Sequence, residues 1–161
     1  MLFKSLPTVS TFLVATTLVL GGCASMPSAD VMKAEVANYQ LPKLPAEGQA
    51  MVYVVRPSIV GSLIRFNVFL DDKEASSEMG YTRGKQYIYF SVAPGNHTVY
   101  SKAENWAQNL VDVKAGDIIF LQQNPAMGIV MARNDLFKID DYQGKYQVKN
   151  LSIGTILKEA K

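Results

Sequence analysis

The sequence predicts an all-β fold, an antiparallel β-sandwich of about seven to nine short strands. Three observations point to it. The apolar runs are short and rich in β-branched and aromatic residues. Turn signals built from Gly, Pro, Asp and Asn recur between them, roughly every 8 to 12 residues. No long segment of helical period alternates with the runs, which argues against a parallel α/β fold. The chain has 161 residues, the length of one domain. Its 48% hydrophobic content, with one Trp, eight Tyr and seven Phe, excludes a disordered chain. Sixteen basic against fourteen acidic residues is near balance, so no field is expected to recruit nucleic acid. One cysteine excludes an internal disulfide framework and a multi-cysteine zinc site.

Residues 1–22 read as an export signal. Lys4 and the amino terminus supply a weak positive region, and an apolar stretch runs from Val9 to Leu20. At about 12 residues it falls short of the ~20 that a permanent membrane helix needs. Leu20-Gly21-Gly22-Cys23 follows, and it resembles the lipobox of bacterial lipoproteins. The resemblance implies that the Cys23 thiol takes a diacylglycerol (palmitate-type chains), that the peptide is cut before Cys23, and that the new amine is acylated. One acyl chain holds a protein only marginally, at about 0.8 kcal/mol per buried CH₂, whereas three make the anchor effectively permanent. Ala24 and Ser25 stand where aspartate would favour the inner membrane. The implied location is therefore the outer membrane, with the body facing the periplasm.

The elements follow in order. Residues 23–48 read as the lipidated cysteine and a flexible tether with Pro27, Pro42, Pro45 and Gly48. Ser28-Ala29-Asp30 is placed to cap a short helix through Ala37, too short to stand alone. As flexible coil the tether would reach about 30 Å. Residues 49–150 read as the sandwich. Met51 to Arg56 is an apolar run stopped by Pro57, a strand buried on both faces. Phe66 to Leu70 is a second strand, and Asp71-Asp72-Lys73 turns it toward a returning strand within residues 74–81. After Arg83-Gly84-Lys85, Gln86 to Val92 alternates. Ile88, Phe90 and Val92 share one face; Tyr87, Tyr89 and Ser91 share the other. Pro94-Gly95-Asn96 is a turn, and His97 to Ser101 is a strand. Leu110 to Val113, Ile118 to Gln122, Ile129 to Ala132 and Leu136 to Ile139 complete the strands. Asp140 is placed to cap a short helix starting at Asp141, with Gln143 returning the bond. Residues 151–161 read as a tail, fraying or ending in a strand.

Three segments carry a second resemblance: Val68 to Lys73, Tyr87 to Val92, and Ala93-Pro94-Gly95-Asn96-His97-Thr98-Val99. They form a strand into an acidic turn, a strand, a Pro-Gly-x-His turn and another strand. The arrangement resembles small bacterial lipoproteins grouped under a domain of unknown function, themselves similar to PEGA-type β-sandwich domains. Val52 to Pro57 and Gly128 to Leu136, with Arg133, fit the same pattern. The resemblance covers roughly residues 50–140 and implies a compact sandwich on a lipid anchor, with no activity attached to it.

No catalytic constellation stands out, and the chain is expected not to be an enzyme. His97 is the sole histidine and is read as a local bonding residue at a strand start. Asp135, Asp140 and Asp141 lack the spacing of a calcium loop, so no metal or cofactor is expected. There is no Gly-x-Ser-x-Gly elbow and no phosphate-cradling glycine loop. Arg56 and Arg133 each lie at the end of an apolar run, where a guanidinium can grip a carboxylate or phosphate. Tyr87, Tyr89 and Tyr100, with Trp106 nearby, are candidates for one aromatic sheet face that meets a sugar or a protein. The expected role is a non-catalytic structural or interaction module of the cell envelope, anchored to the membrane at Cys23 and meeting an envelope protein or the cell wall. The alternative is a small-ligand or glycan-binding lipoprotein using the tyrosine face with Arg56 or Arg133.

Overall fold

The computed structural model describes residues 26–159. The expected signal, with Leu20, Gly21, Gly22 and Cys23, lies outside the described residues. Two five-stranded sheets face each other. The first has the order β8-β7-β1-β4-β9 and the second β10-β3-β2-β5-β6. In chain order the strands are β1 (Ala50–Arg56), β2 (Phe66–Leu70), β3 (Glu78–Thr82), β4 (Gln86–Val92) and β5 (Gly95–Lys102). They continue as β6 (Trp106–Val113), β7 (Ile118–Met127), β8 (Ala132–Ile139), β9 (Ser152–Ile153) and β10 (Thr155–Ile156). Helix α1 (Ala29–Val36) precedes them and α2 (Asp141–Asn150) separates β8 from β9. The sandwich is mixed: β1 pairs antiparallel with β4 but parallel with β7, and β4 pairs parallel with β9.

Strand period 2 builds two cores from one strand set. Val52, Val54, Ile88 and Phe90 point between the sheets, against Val68 and Val99 of the second sheet. Met51, Tyr53, Val55, Tyr87 and Phe120 point outward into a second core, closed by Leu41, Ile139 and Val148. This is why β1 is buried along its whole length.

Several elements depart from expectation for identifiable reasons. Residues 29–44 do not hang free as a tether. Ser28 caps α1 by accepting from the Val31 amide at 3.4 Å, Met32 and Val36 are buried, and α1 packs on α2. A helix of 8 residues, too short to persist alone, is stabilised by that tertiary contact. Ile129 to Ala132 is not a strand: β7 runs on to Met127, and residues 128–131 are the loop before β8. The β-branched pair Ile129-Val130 has no sheet to pack against, so its propensity is overridden. Asp140 is the N-cap residue of α2 without a side-chain cap bond, and Gln143 Nε2 donates instead toward Met26 Sδ at 3.5 Å.

The C-terminal residues are a strap. β9 joins the first sheet beside β4, and β10 joins the second beside β3. Gly154 crosses between them, its amide donating to the Tyr87 carbonyl at 2.7 Å. On the opposite side β8 lies along β6, where Asn134 accepts an Asn105 side-chain bond at 2.9 Å on its carbonyl. Between the sheets a polar string crosses the core: Thr82 Oγ1 donates to Gln123, and Gln123 Nε2 donates to Ser101 Oγ at 2.8 Å.

Candidate binding face

The outer face of the second sheet carries an aromatic cluster in which Trp106 is exposed, Tyr100 is half-buried and Phe69 is buried among them. Alternation sends Val68 and Leu70 inward, so Asn67 and Phe69 face out. In β5 it sends Val99 and Ser101 inward, so Tyr100 and Lys102 face out. Pairing sets Phe69 opposite Tyr100 and Lys102 opposite Trp106. The rings then meet across strands: Phe69 and Trp106 at 5.2 Å between centroids, Tyr100 and Trp106 at 6.3 Å edge to face. Lys73, from the turn after β2, holds its ammonium 5.0 Å from the Tyr100 ring and 5.2 Å from Trp106. Lys102 lies 5.1 Å from Trp106 on the same platform. Beside it is a groove of about 500 Å³ bounded by Phe69, Asn67, Arg65, Lys73, Lys102 and Glu78. Asn67 Nδ2 donates to Glu78 Oε1 at 2.6 Å, which fixes that carboxylate against the wall.

Aromatic faces and cations over a shallow groove can stack on a flat partner group and attract a carboxylate. Within the groove walls there is no serine, cysteine or histidine to act as a nucleophile or base. Among the described residues, no group of three His, Cys, Asp or Glu side chains converges on one point. His97 lies elsewhere, with Nδ1 3.0 Å from Asp71 Oδ1 and Nε2 2.8 Å from the Ala93 carbonyl. The ring ties two neighbouring turns together.

The four aromatic residues singled out in the sequence divide between two faces. Tyr100 and Trp106 join the platform just described. Tyr87 and Tyr89 surround Tyr53 on the other sheet, with centroids 6.2 and 5.6 Å away. There the Tyr53 hydroxyl donates to the Lys43 carbonyl at 2.6 Å and accepts from the Lys43 amide at 3.0 Å. Burial raises the ionisation of Tyr53 and Tyr87 above the ordinary tyrosine range. That face is core, covered by residues 39–44 and α2.

The two arginines also separate. Arg56 is fully buried. Its guanidinium donates to the carbonyls of Ile64 at 2.7 Å, Val60 at 3.0 Å and Gly61 at 2.8 Å, and lies 3.6 Å from the Phe66 ring centroid. Burial lowers its pKa to about 10, so it stays charged at neutral pH. It pins a loop and is not exposed at the surface. Arg133 is exposed near the start of β8 and does not border the groove.

Sequence reading missed Phe69, Lys73 and Lys102. The alternation of Phe66 to Leu70 held the signal for Phe69. The lysines held none, because a cation over a ring depends on cross-strand register. Glu104 was also missed. Its carboxylate accepts from the amides of Ile129, Val130 and Met131 at 3.1, 2.9 and 2.7 Å. Those bonds hold its pKa below the ordinary carboxylate range.

Comparison with known proteins adds a family without an assigned activity. An uncharacterized protein of Haemophilus influenzae (strain ATCC 51907 / DSM 11121 / KW20 / Rd) is 22% identical over 142 residues, covering 88% of this chain and 81% of its own length. No solved structure matches. A family model described as "Protein of unknown function (DUF2846)" matches residues 46–135, more than half of the chain and the span from β1 to the middle of β8. The chain therefore belongs to the DUF2846 family of proteins of unknown function.

Proposed function

We propose that the protein is a lipid-anchored, non-catalytic interaction module of a bacterial envelope, and that it meets its partner through the Phe69-Tyr100-Trp106 face. The anchor is Cys23, read from Leu20-Gly21-Gly22-Cys23. The observation that carries the contact surface is the aromatic platform with two lysines over it. Trp106 is 37% exposed, which leaves indole surface and the two ammonium groups beside it open to a partner. Tryptophan, tyrosine and arginine dominate contact energies at protein interfaces, and this face supplies the first two in Trp106 and Tyr100. The basic rim, Arg65, Lys73 and Lys102, favours a segment bearing carboxylates. Strand addition at a sheet edge is a poorer fit, because β9 and β10 are 2 residues each and β6 is flanked by β8.

The groove favours one second reading, a glycan of the cell wall stacked on Trp106, since sugar rings pack on aromatic faces. Crosslinking from intact envelopes separates the two, with a photoreactive group replacing Tyr100 and with Trp106→Ala and Cys23→Ser as comparisons. One dominant protein adduct, lost in Trp106→Ala, supports the interaction reading. Wall fragments alone support the glycan. No adduct above the Trp106→Ala background removes this face from the function, and an unacylated Cys23 removes the anchor.

A further inference from the structure

One end of the sandwich collects the loops after β1 (57–65), between β3 and β4 (83–85), between β5 and β6 (103–105) and between β7 and β8 (128–131). Two of them project aliphatic side chains into solvent. Ile59, Val60 and Leu63 stand on the first, and Ile129 and Val130 stand on the last beside Met127 at the end of β7, with Leu63 at 88% and Ile129 at 92% exposure. The two loops adjoin, since Gly61 faces the Ala132 methyl. Single exposed aliphatics are ordinary, but a contiguous set marks a contact surface.

We infer that this aliphatic crown sits in the surface of the same membrane that holds the acylated Cys23, giving the domain a second point of attachment. Part of the backbone beneath the crown is satisfied from inside. Arg56 takes the carbonyls of Val60, Gly61 and Ile64. Glu104 takes the amides of Ile129, Val130 and Met131. Ser58 Oγ accepts from the Val60 amide at 3.1 Å, and the Ile64 amide donates to the Gly61 carbonyl at 3.0 Å. Each bare peptide group costs several kcal/mol in an apolar medium, so these bonds lower the cost of seating the loops at the membrane surface, where the remaining groups keep to the headgroup side. The charges around the crown suit anionic headgroups: the four loops hold Arg65, Arg83, Lys85 and one acid, Glu104, whose carboxylate is engaged by three amides. The first described residues also lie on this side. Met26 and Pro27 share a cleft of about 560 Å³ with Pro57, Ser58 and Lys85. Cys23 precedes Met26 by three residues, a reach of at most about 10 Å. On the lipoprotein reading, an anchor three residues before Met26 would meet the same membrane surface as the crown.

This inference rests on the lipoprotein reading, and the test separates the two. The full acylated protein is reconstituted into phosphatidylethanolamine and phosphatidylglycerol vesicles containing acyl-brominated lipids. It carries an environment-sensitive fluorophore at Leu63→Cys, at Val130→Cys, or at Ala115→Cys on the opposite end. Intact mass reports whether Cys23 is acylated. The expected result is quenching at 63 and 130 from about 5–10 Å below the headgroups, with none at 115. Labels at 63 and 130 as unquenched as 115, on protein acylated at Cys23, overturn the crown and leave the anchor standing. Labels shielded from aqueous quencher yet untouched by brominated lipid assign the crown to a second copy or another protein, and also overturn it. An unmodified Cys23 overturns the anchor and the crown together.

Discussion

Gly144 and Arg56 show how much of this molecule is decided one residue at a time. Gly144 lies in the middle of α2, a costly place for glycine by helix propensity, at about 1 kcal/mol relative to alanine. Its reason is contact: a Cβ there would sit 2.1 Å from Phe120 Cγ, and Phe120 stacks on Tyr53 at 5.4 Å. Gly144→Ala is therefore expected to destabilise by about 1–3 kcal/mol despite the better helix former. Urea denaturation checks this, and an unchanged or raised midpoint contradicts it. Arg56 makes three charge-assisted bonds to loop carbonyls. Arg56→Lys offers a compact ammonium where a planar fork is needed, and Arg56→Met offers no donor. A loss of about 2–4 kcal/mol is expected for Arg56→Met. Faster proteolysis within residues 57–65 should accompany both substitutions. Loss of stability with the loop still protected would show that the arginine matters for some other reason.

At the scale of elements, the legible parts were those with a local period. β1, β2 and β4 are written in β-branched and aromatic residues that alternate or fill both faces, and the structure places them within a residue of the expected bounds. The illegible parts depend on distant partners. Ile129-Val130 reads as strand by composition, yet Glu104, about 25 residues earlier in the chain, organises it as a loop. Residues 29–44 read as tether because Met32 and Val36 find their cover only when α2 is in place. The aromatic face was half legible: Tyr87 and Tyr100 look alike in sequence, and only the assignment of strands to sheets makes one core and the other surface. The Glu104 loop yields a pH prediction. Its carboxyl is held below the ordinary range by three amide donors. A depressed folded value means that the loop gains its full stabilisation above the unfolded carboxyl value, about 4.3, and loses it as pH falls through the lower folded value. The NMR amide shifts of Ile129, Val130 and Met131 should therefore move together, with a midpoint below 4.3, about the ordinary glutamate value. At pH 7, Glu104→Gln should already show part of that displacement. A midpoint at the ordinary glutamate value would mean that the bonds to Glu104 do not persist in solution.

The whole molecule is held together across its sheets by devices at both margins and in the middle. The Thr82-Gln123-Ser101 string joins the sheets internally, β8 lies along β6 on one side, and the C-terminal strap closes the other. The strap is short, but its backbone bonds reach both sheets: Ser152 to Lys85 at 3.1 Å, Gly154 to Tyr87 at 2.7 Å, Leu157 to Met79 at 2.9 Å, and the Ser91 amide to Glu159 at 2.6 Å. At about 0.5–1.5 kcal/mol each these bonds sum to about 2–6 kcal/mol, a large share of the roughly 5–15 kcal/mol net stability of a typical domain. A chain ending at Asn150 is therefore expected to unfold at much lower urea concentration. It would also leave the outer edges of β3 and β4 unpaired, and open edges recruit other chains. Concentration-dependent light scattering should accompany the loss of stability. Gly154→Val gives a milder version, because a side chain there meets the Tyr81 carbonyl at 2.8 Å and Ile88 Cγ2 at 3.0 Å. If both variants remain monomeric with an unchanged midpoint, the strap is an ornament on a sandwich that closes without it, and the two sheets are held by the apolar core between them, the central string and the β6–β8 margin.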